Sequence, residues 1–190
     1  MRYRLILLAA ALVTSAAAAR SDPTPTDETK CEAASAYIAA ILGKVDSRPR
    51  VFSSEQDPLT DLPDSSRWID ASTGKRGALP PRSLLVRLKN DPAQSAVTAC
   101  SSVRDVLKQH RVSFGKEAVE AAEQLSTRSF LYQADIHSVS MPAISSKGDE
   151  AVLMASEIVG PTGGGGFLEY LRRLPTGRWV VVSTAGLWVS

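Results

Sequence analysis

Four side chains in the last third of the chain are of types that could move protons: Asp135, His137, Glu157 and Glu169. Asp135 and His137 stand two residues apart. In a strand they share one face, where a carboxylate can orient an imidazole. Glu157 and Glu169 flank the glycine-rich stretch Gly160 to Gly166. If that stretch reverses the chain between antiparallel strands, the two carboxylates approach each other, and two close carboxylates push one pKa upward, as acid/base chemistry requires. Arg172 and Arg173 are the expected neutralising partners. Structural readings of the same residues carry more weight, namely a solvated polar pair for Asp135/His137 and cross-strand salt bridges for Glu157/Glu169. No catalytic residue is therefore assigned, and these four remain candidates.

Other chemistries have less support. The run Gly160-Pro-Thr-Gly-Gly-Gly-Gly166 lacks the following Lys-Ser/Thr of a phosphate loop and leads into a strand, not a helix. Its expected role is a hairpin loop whose glycines supply positive φ and little bulk. No G-x-S-x-G elbow is present, and none of the H-x-x-x-H, H-E-x-x-H or C-x-x-C spacings of metal sites occurs. No cofactor and no metal are expected.

The elements that must position these residues read as follows. Runs rich in β-branched, aliphatic and aromatic residues, Phe130–Ser140, Ala151–Val159, Phe167–Leu174 and Trp179–Val189, are broken by Gly and Pro and predict a β-meander of about four antiparallel strands. In the first, Phe130, Tyr132, Ala134 and Ile136 form the expected core face. Ala34, Tyr37, Ile38, Ile41, Leu42 and Val45 recur at helical spacing after Thr26-Asp27, predicting a helix from Glu28 to about Lys44 with a core stripe. Ser83–Leu88 leans to a short helix, Ala96–Cys100 reads as a short strand, and helices are expected after Ser101/Ser102 and over Lys116–Leu125. The fold class is α+β, with N-terminal helices packed on a C-terminal antiparallel meander.

Residues 46–81, interrupted by five prolines, form a long irregular connection with apolar anchors at Val51-Phe52 and Trp68-Ile69. An exposed Trp68 would make this loop a binding surface. The domain plan is a signal peptide at 1–19, a flexible leader at 20–29 and one domain over 30–190. The signal reading rests on Arg2 and Arg4, the apolar run Leu5–Val13 and the small residues Ala17–Ala19. Cys31 and Cys100, the two cysteines of the chain, are then expected to form a disulfide in a periplasmic or secreted protein.

Charge excludes one class of partner. The chain has 22 Lys and Arg against 20 Asp and Glu, and loss of Arg2 and Arg4 with the signal leaves it formally neutral. No basic stripe is present, so nucleic acid is not an expected partner. Stable membrane insertion after signal cleavage is not expected either, because the apolar run is shorter than a bilayer span.

Asp149-Glu-Ala-Val-Leu153, Gly163–Gly166, Leu168, Leu171, Gly177-x-Trp179 and the ending Trp188-Val-Ser190 resemble a group of small exported bacterial proteins of unassigned function. The resemblance covers about a third of the chain, and its residues are turn and core positions, so it implies shared fold, not shared chemistry. Relatives in that group carry cysteines near the glycine loop; this chain has none there, which removes a redox reading of the loop.

The expected function is thus a non-catalytic exported protein that binds a partner protein or small ligand through the 46–81 loop or a sheet face. The alternative is a small hydrolase or acid/base enzyme using Asp135/His137 with Glu157/Glu169. A cone-like sheet enclosing a small-molecule pocket is a third possibility.

Overall fold

The computed structural model describes residues 26–44, 48–124 and 131–190. The expected signal segment, leader residues 20–25, Val45 and Phe130 lie outside the described residues. Helix α1 is Asp27–Leu42. Thr26 caps it by accepting from the Thr29 N–H, and Asp27 and Glu28 suit the positive end of the helix dipole. The helix starts one residue before the expected Glu28, within the span 20–29 given to the leader.

The long connection contributes two three-residue strands, β1 (Arg50–Phe52) and β2 (Trp68–Asp70), at the two apolar anchors. Helices α2 (Arg82–Asn90), α3 (Ala96–Ala99), α4 (Ser101–Gln109) and α5 (Lys116–Ala122) follow, with β3 (Ser113–Phe114) between the last two. The expected strand at Ala96–Cys100 is thus the one-turn helix α3. The Ser95 hydroxyl decides this locally by accepting from the Val97 N–H, a helix cap that overrides the strand preference of Val97 and Thr98.

Strands β4 (Asp135–Val139), β5 (Ala143–Ile144), β6 (Glu150–Gly160), β7 (Gly163–Arg173) and β8 (Trp179–Val189) complete the chain. The sheet has eight strands in the order β2-β8-β7-β6-β4-β1-β3, with β5 also on β6. The α+β class holds, but the four-stranded antiparallel meander does not: β1 runs parallel to both β3 and β4, so the sheet is mixed. Segments from the first two thirds of the chain, too short to carry a periodic signal, extend the meander at both edges.

Both faces of the sheet are covered. Along β6, Ala151, Leu153 and Ala155 pack with Ala33, Ala34 and Ile38 of α1 and Val103 and Leu107 of α4. The alternating Val152 and Met154 pack with Trp68 and with Leu84 and Leu88 of α2. A third cluster joins Val51, Ala134 and Ile136 to Ala122 of α5. Two-sided burial changes the reading of β4. Asp135, His137 and Val139, expected on the non-core face, are buried along with Ile136. Trp68 is 1% exposed and is a core residue, which removes it as a binding residue of the long loop.

Cys31 and Cys100 are bonded, linking α1 to the α3–α4 junction across 69 residues. The glycine run is also corrected. Gly160 pairs with Gly163, so only Pro161 and Thr162 form the turn, while Gly163 to Gly166 lie inside β7. None of these four adopts positive φ; among glycines those angles belong to Gly74, Gly115, Gly148 and Gly177. What the run provides is room. A Cβ on Gly166 would land within the indole of Trp188, and one on Gly164 would meet the Glu157 carbonyl oxygen at 2.7 Å.

Candidate functional site

The face of the sheet beneath the C-terminal half of α1 carries the polar candidates. His137 on β4 is in register with Glu157 on β6, and its Nε2 lies 4.0 Å from Glu157 Oε1. The imidazole is stacked on Phe52 of β1 at a centroid distance of 5.2 Å, which fixes the plane of the ring. Glu169 on β7 is in register with Leu153 of β6 and Thr184 of β8. The alternation of strands places it on the same face as Glu157, two same-face steps along the β6–β7 ladder.

Glu169 is the unusual group. Burial raises its pKa to about 7, while Thr184, the Tyr37 hydroxyl and the Lys44 ammonium pull the other way by favouring the carboxylate. Tyr37 of α1 donates to Glu169 Oε1 at 3.2 Å. Burial first, and then the nearby Glu169 charge, raise the pKa of that phenol well above its ordinary value, so it stays protonated and acts as a donor.

A cavity of about 320 Å³ opens here, with Arg50, His137, Glu157, Phe167 and Glu169 on the sheet side and Tyr37, Ile41 and Lys44 on the other. Arg50 is held in place from above by donating to the Ile41 carbonyl at 2.9 Å. The site therefore has two carboxyls, an imidazole, a phenol and two cations around an apolar floor. A carboxyl that titrates near neutrality can both donate and accept hydrogen bonds, and it can exchange a proton with whatever occupies the cavity.

Three of the four sequence candidates, His137, Glu157 and Glu169, come together in this cavity. Asp135 does not. It shares the β4 face with His137, but its Oδ1 lies 3.0 Å from Arg48 Nη2, and that Arg48 nitrogen also donates to the Tyr132 carbonyl. This pair ties β4 to the segment before β1. Arg172 and Arg173, the expected neutralising partners, are elsewhere: Arg172 joins Glu150 and Tyr170, and Arg173 joins Glu32 of α1. The cations near the carboxyls are Lys44 and Arg50.

Tyr37, Lys44, Arg50 and Thr184 were not legible as site residues. Tyr37 and Ile41 do lie on the stripe that marks the core face of α1, and the tyrosine alone among the stripe residues carries a polar tip that needs a partner when buried.

Among the described residues, no group of three or more His, Cys, Asp or Glu is placed to hold a metal ion, and no helix is long and apolar enough to cross a membrane. No family model, curated protein or solved structure matches the chain.

Proposed function

We propose that the protein is an exported, periplasmic binding protein that holds a small polar molecule in the cavity between α1 and the sheet, without turning it over. The observation that carries this reading is the half-buried carboxyl of Glu169 at the wall of a cavity of about 320 Å³. Removing a carboxyl from water costs free energy unless something compensates it. A cavity of this size lies within the range of small-molecule sites, which are mostly apolar with a few convergent polar groups. The Cys31–Cys100 bond fits an oxidising compartment, in keeping with the basic and apolar start of the chain. The resemblance to small exported bacterial proteins agrees with that address.

The experiment is a titration of the mature protein with a panel of small organic acids, amines and polyols, followed by NMR. A bound member shifts the signals of Ile41, Phe167 and Tyr37 in a saturable way. An Ala155→Leu variant, which narrows the cavity floor, loses the response. A panel that never perturbs these signals overturns the reading.

A second reading, an acid/base enzyme, is favoured by the placement of Glu169, whose pKa burial raises to about 7, in one cavity with the His137–Glu157 pair. In that reading Glu169 transfers the proton, and Glu169→Gln abolishes turnover of a ligand that it still binds. Binding without any turnover by the unaltered protein decides for the first reading.

A further inference from the structure

A second cavity, of about 570 Å³, lies where the long connection meets the C-terminal end of α2 and the turn after β4. We propose that it is a separate ligand site for an organic cation with an apolar body, a primary alkylammonium being the simplest member of that class.

The floor is apolar and comes from three parts of the chain: Leu59 of the long connection, Leu88 of α2 and Met154 of β6, which are 9%, 8% and 6% exposed. Met141 adds a second thioether, a soft surface that adapts to an alkyl chain. The polar lining is rich in acceptors. Asp57 and Asp91 bring exposed carboxylates. Gln56 donates through Nε2 to the Asp57 carbonyl, which leaves its Oε1 as the free end, and that oxygen is buried without a hydrogen-bond partner. A buried acceptor without a donor is costly, and it points to an occupant that supplies one.

The backbone adds to the same sign. Helix α2 ends at Asn90 with Asp91 as its C-terminal cap, so the negative end of the helix dipole lies beside the Asp91 carboxylate. The lining includes one cation, Lys30, whose ammonium lies 3.4 Å from Asp27 Oδ1 in the same helix. An ammonium group supplies up to three donors for Asp57, Asp91 and Gln56, while its alkyl stem covers the floor. A carboxylate ligand of the same shape would face two like charges, and an uncharged one would forgo the attraction of both carboxylates.

The test uses n-hexylammonium, with n-hexanoate and n-hexanol as matched probes, on the full mature protein carrying ¹³C-methyl methionine. Met141 and Met154 both line this cavity, so their methyl signals report on it directly. Hexylammonium is expected to move both signals saturably, with weakening as salt is added, while hexanoate at the same concentration leaves them in place. The Asp57→Asn/Asp91→Asn variant, altered at exposed positions and checked for an unchanged melting temperature, is expected to bind about tenfold more weakly. Glu169→Gln leaves this binding unchanged, which separates the site from the one under α1. Equal responses to hexanoate or hexanol, or full affinity in the double variant, overturn the proposal.

Discussion

Tyr37 and Glu169, 132 residues apart, meet in a 3.2 Å hydrogen bond from the phenol to the carboxyl. The bond connects α1 to the third-from-edge strand β7 through polar atoms at the rim of an otherwise apolar contact. It fixes the side of the helix that faces the cavity and supplies the donor that keeps Glu169 from titrating higher still.

Glu169 makes stability depend on pH in a defined direction. Its pKa rises from 4.5 in a solvated chain to about 7 in the fold, so the protonated form is the one the fold favours. Its favourable contribution is complete below about pH 4.5 and is lost as pH rises through 7. The difference in unfolding free energy between the unaltered protein and Glu169→Gln should shift by up to about 3 kcal/mol across that window, in favour of the variant at high pH. Urea denaturation at pH 4.5 and pH 8 measures it, and a pH-independent difference refutes the assignment.

Tyr37→Phe removes a donor that favours the carboxylate. The Glu169 titration should move above 7, and stability at neutral pH should fall by about 1 kcal/mol. Carbon-detected NMR of the glutamate carboxyl follows the first effect, and a downward shift contradicts the bond.

Arg48 faces an aspartate whose side chain is 4% exposed. Arg48→Ala breaks this partly buried ion pair and should cost about 3 to 5 kcal/mol. Adding Asp135→Asn should recover a large part of the loss. Recovery in a double-mutant cycle by denaturant unfolding separates the charge effect from lost packing of the arginine stem.

The disulfide closes a 69-residue separation. Replacing both cysteines by alanine should lower unfolding stability by about 4 kcal/mol in the chain-entropy account. The same loss should follow addition of reductant to the unaltered protein, read by urea midpoint.

Gly166→Ala puts a methyl group where the Trp188 indole lies. Either the strand shifts or the indole moves outward, at a cost of about 1 to 3 kcal/mol. Near-ultraviolet circular dichroism of the tryptophans should change, whereas Gly186→Ala, with nothing within 4 Å of the added atom, should leave it as it is.

The sequence was most legible where one element supplies its own signal. The stripe of α1, the amphipathic face of α4 and the three 11-residue strands β6, β7 and β8 each repeat a period long enough to detect, although Ser101 and Ser102, expected to precede α4, lie inside it and its N-cap Cys100 makes no side-chain cap bond. The Gly and Pro breaks between the predicted strands were also readable: those at Ser145–Asp149 and Pro175–Gly177 hold Gly148 and Gly177 at the positive φ that tight turns demand. The edge strands were not. Two or three residues such as Ser113-Phe114 become a strand because β1 offers hydrogen bonds, and that is a tertiary fact. The glycine run misled for a related reason: lack of bulk and positive φ call for the same residue, and only the position of Trp188 tells them apart. At the site, alternation sorted the faces within each strand but did not relate the two carboxyls. Without the register shift between Ile158 and Gly160, Glu157 would pair with Gly166 and Glu169 would lie on the opposite face, and it is this shift that brings them to one face. The burial that sets the chemistry of Glu169 comes from α1, whose docking register no local pattern encodes.

The position of β2 has a further consequence. Residues 68–70 join the sheet only through β8, by pairing with Ser183, Thr184 and Ala185. Trp68 therefore waits for a segment more than a hundred residues downstream before its indole leaves water. Completion of the sheet is thus coupled to the arrival of β8: until it is in place, β2 has no strand of the sheet to pair with, a contact of long sequence separation that is slow to form.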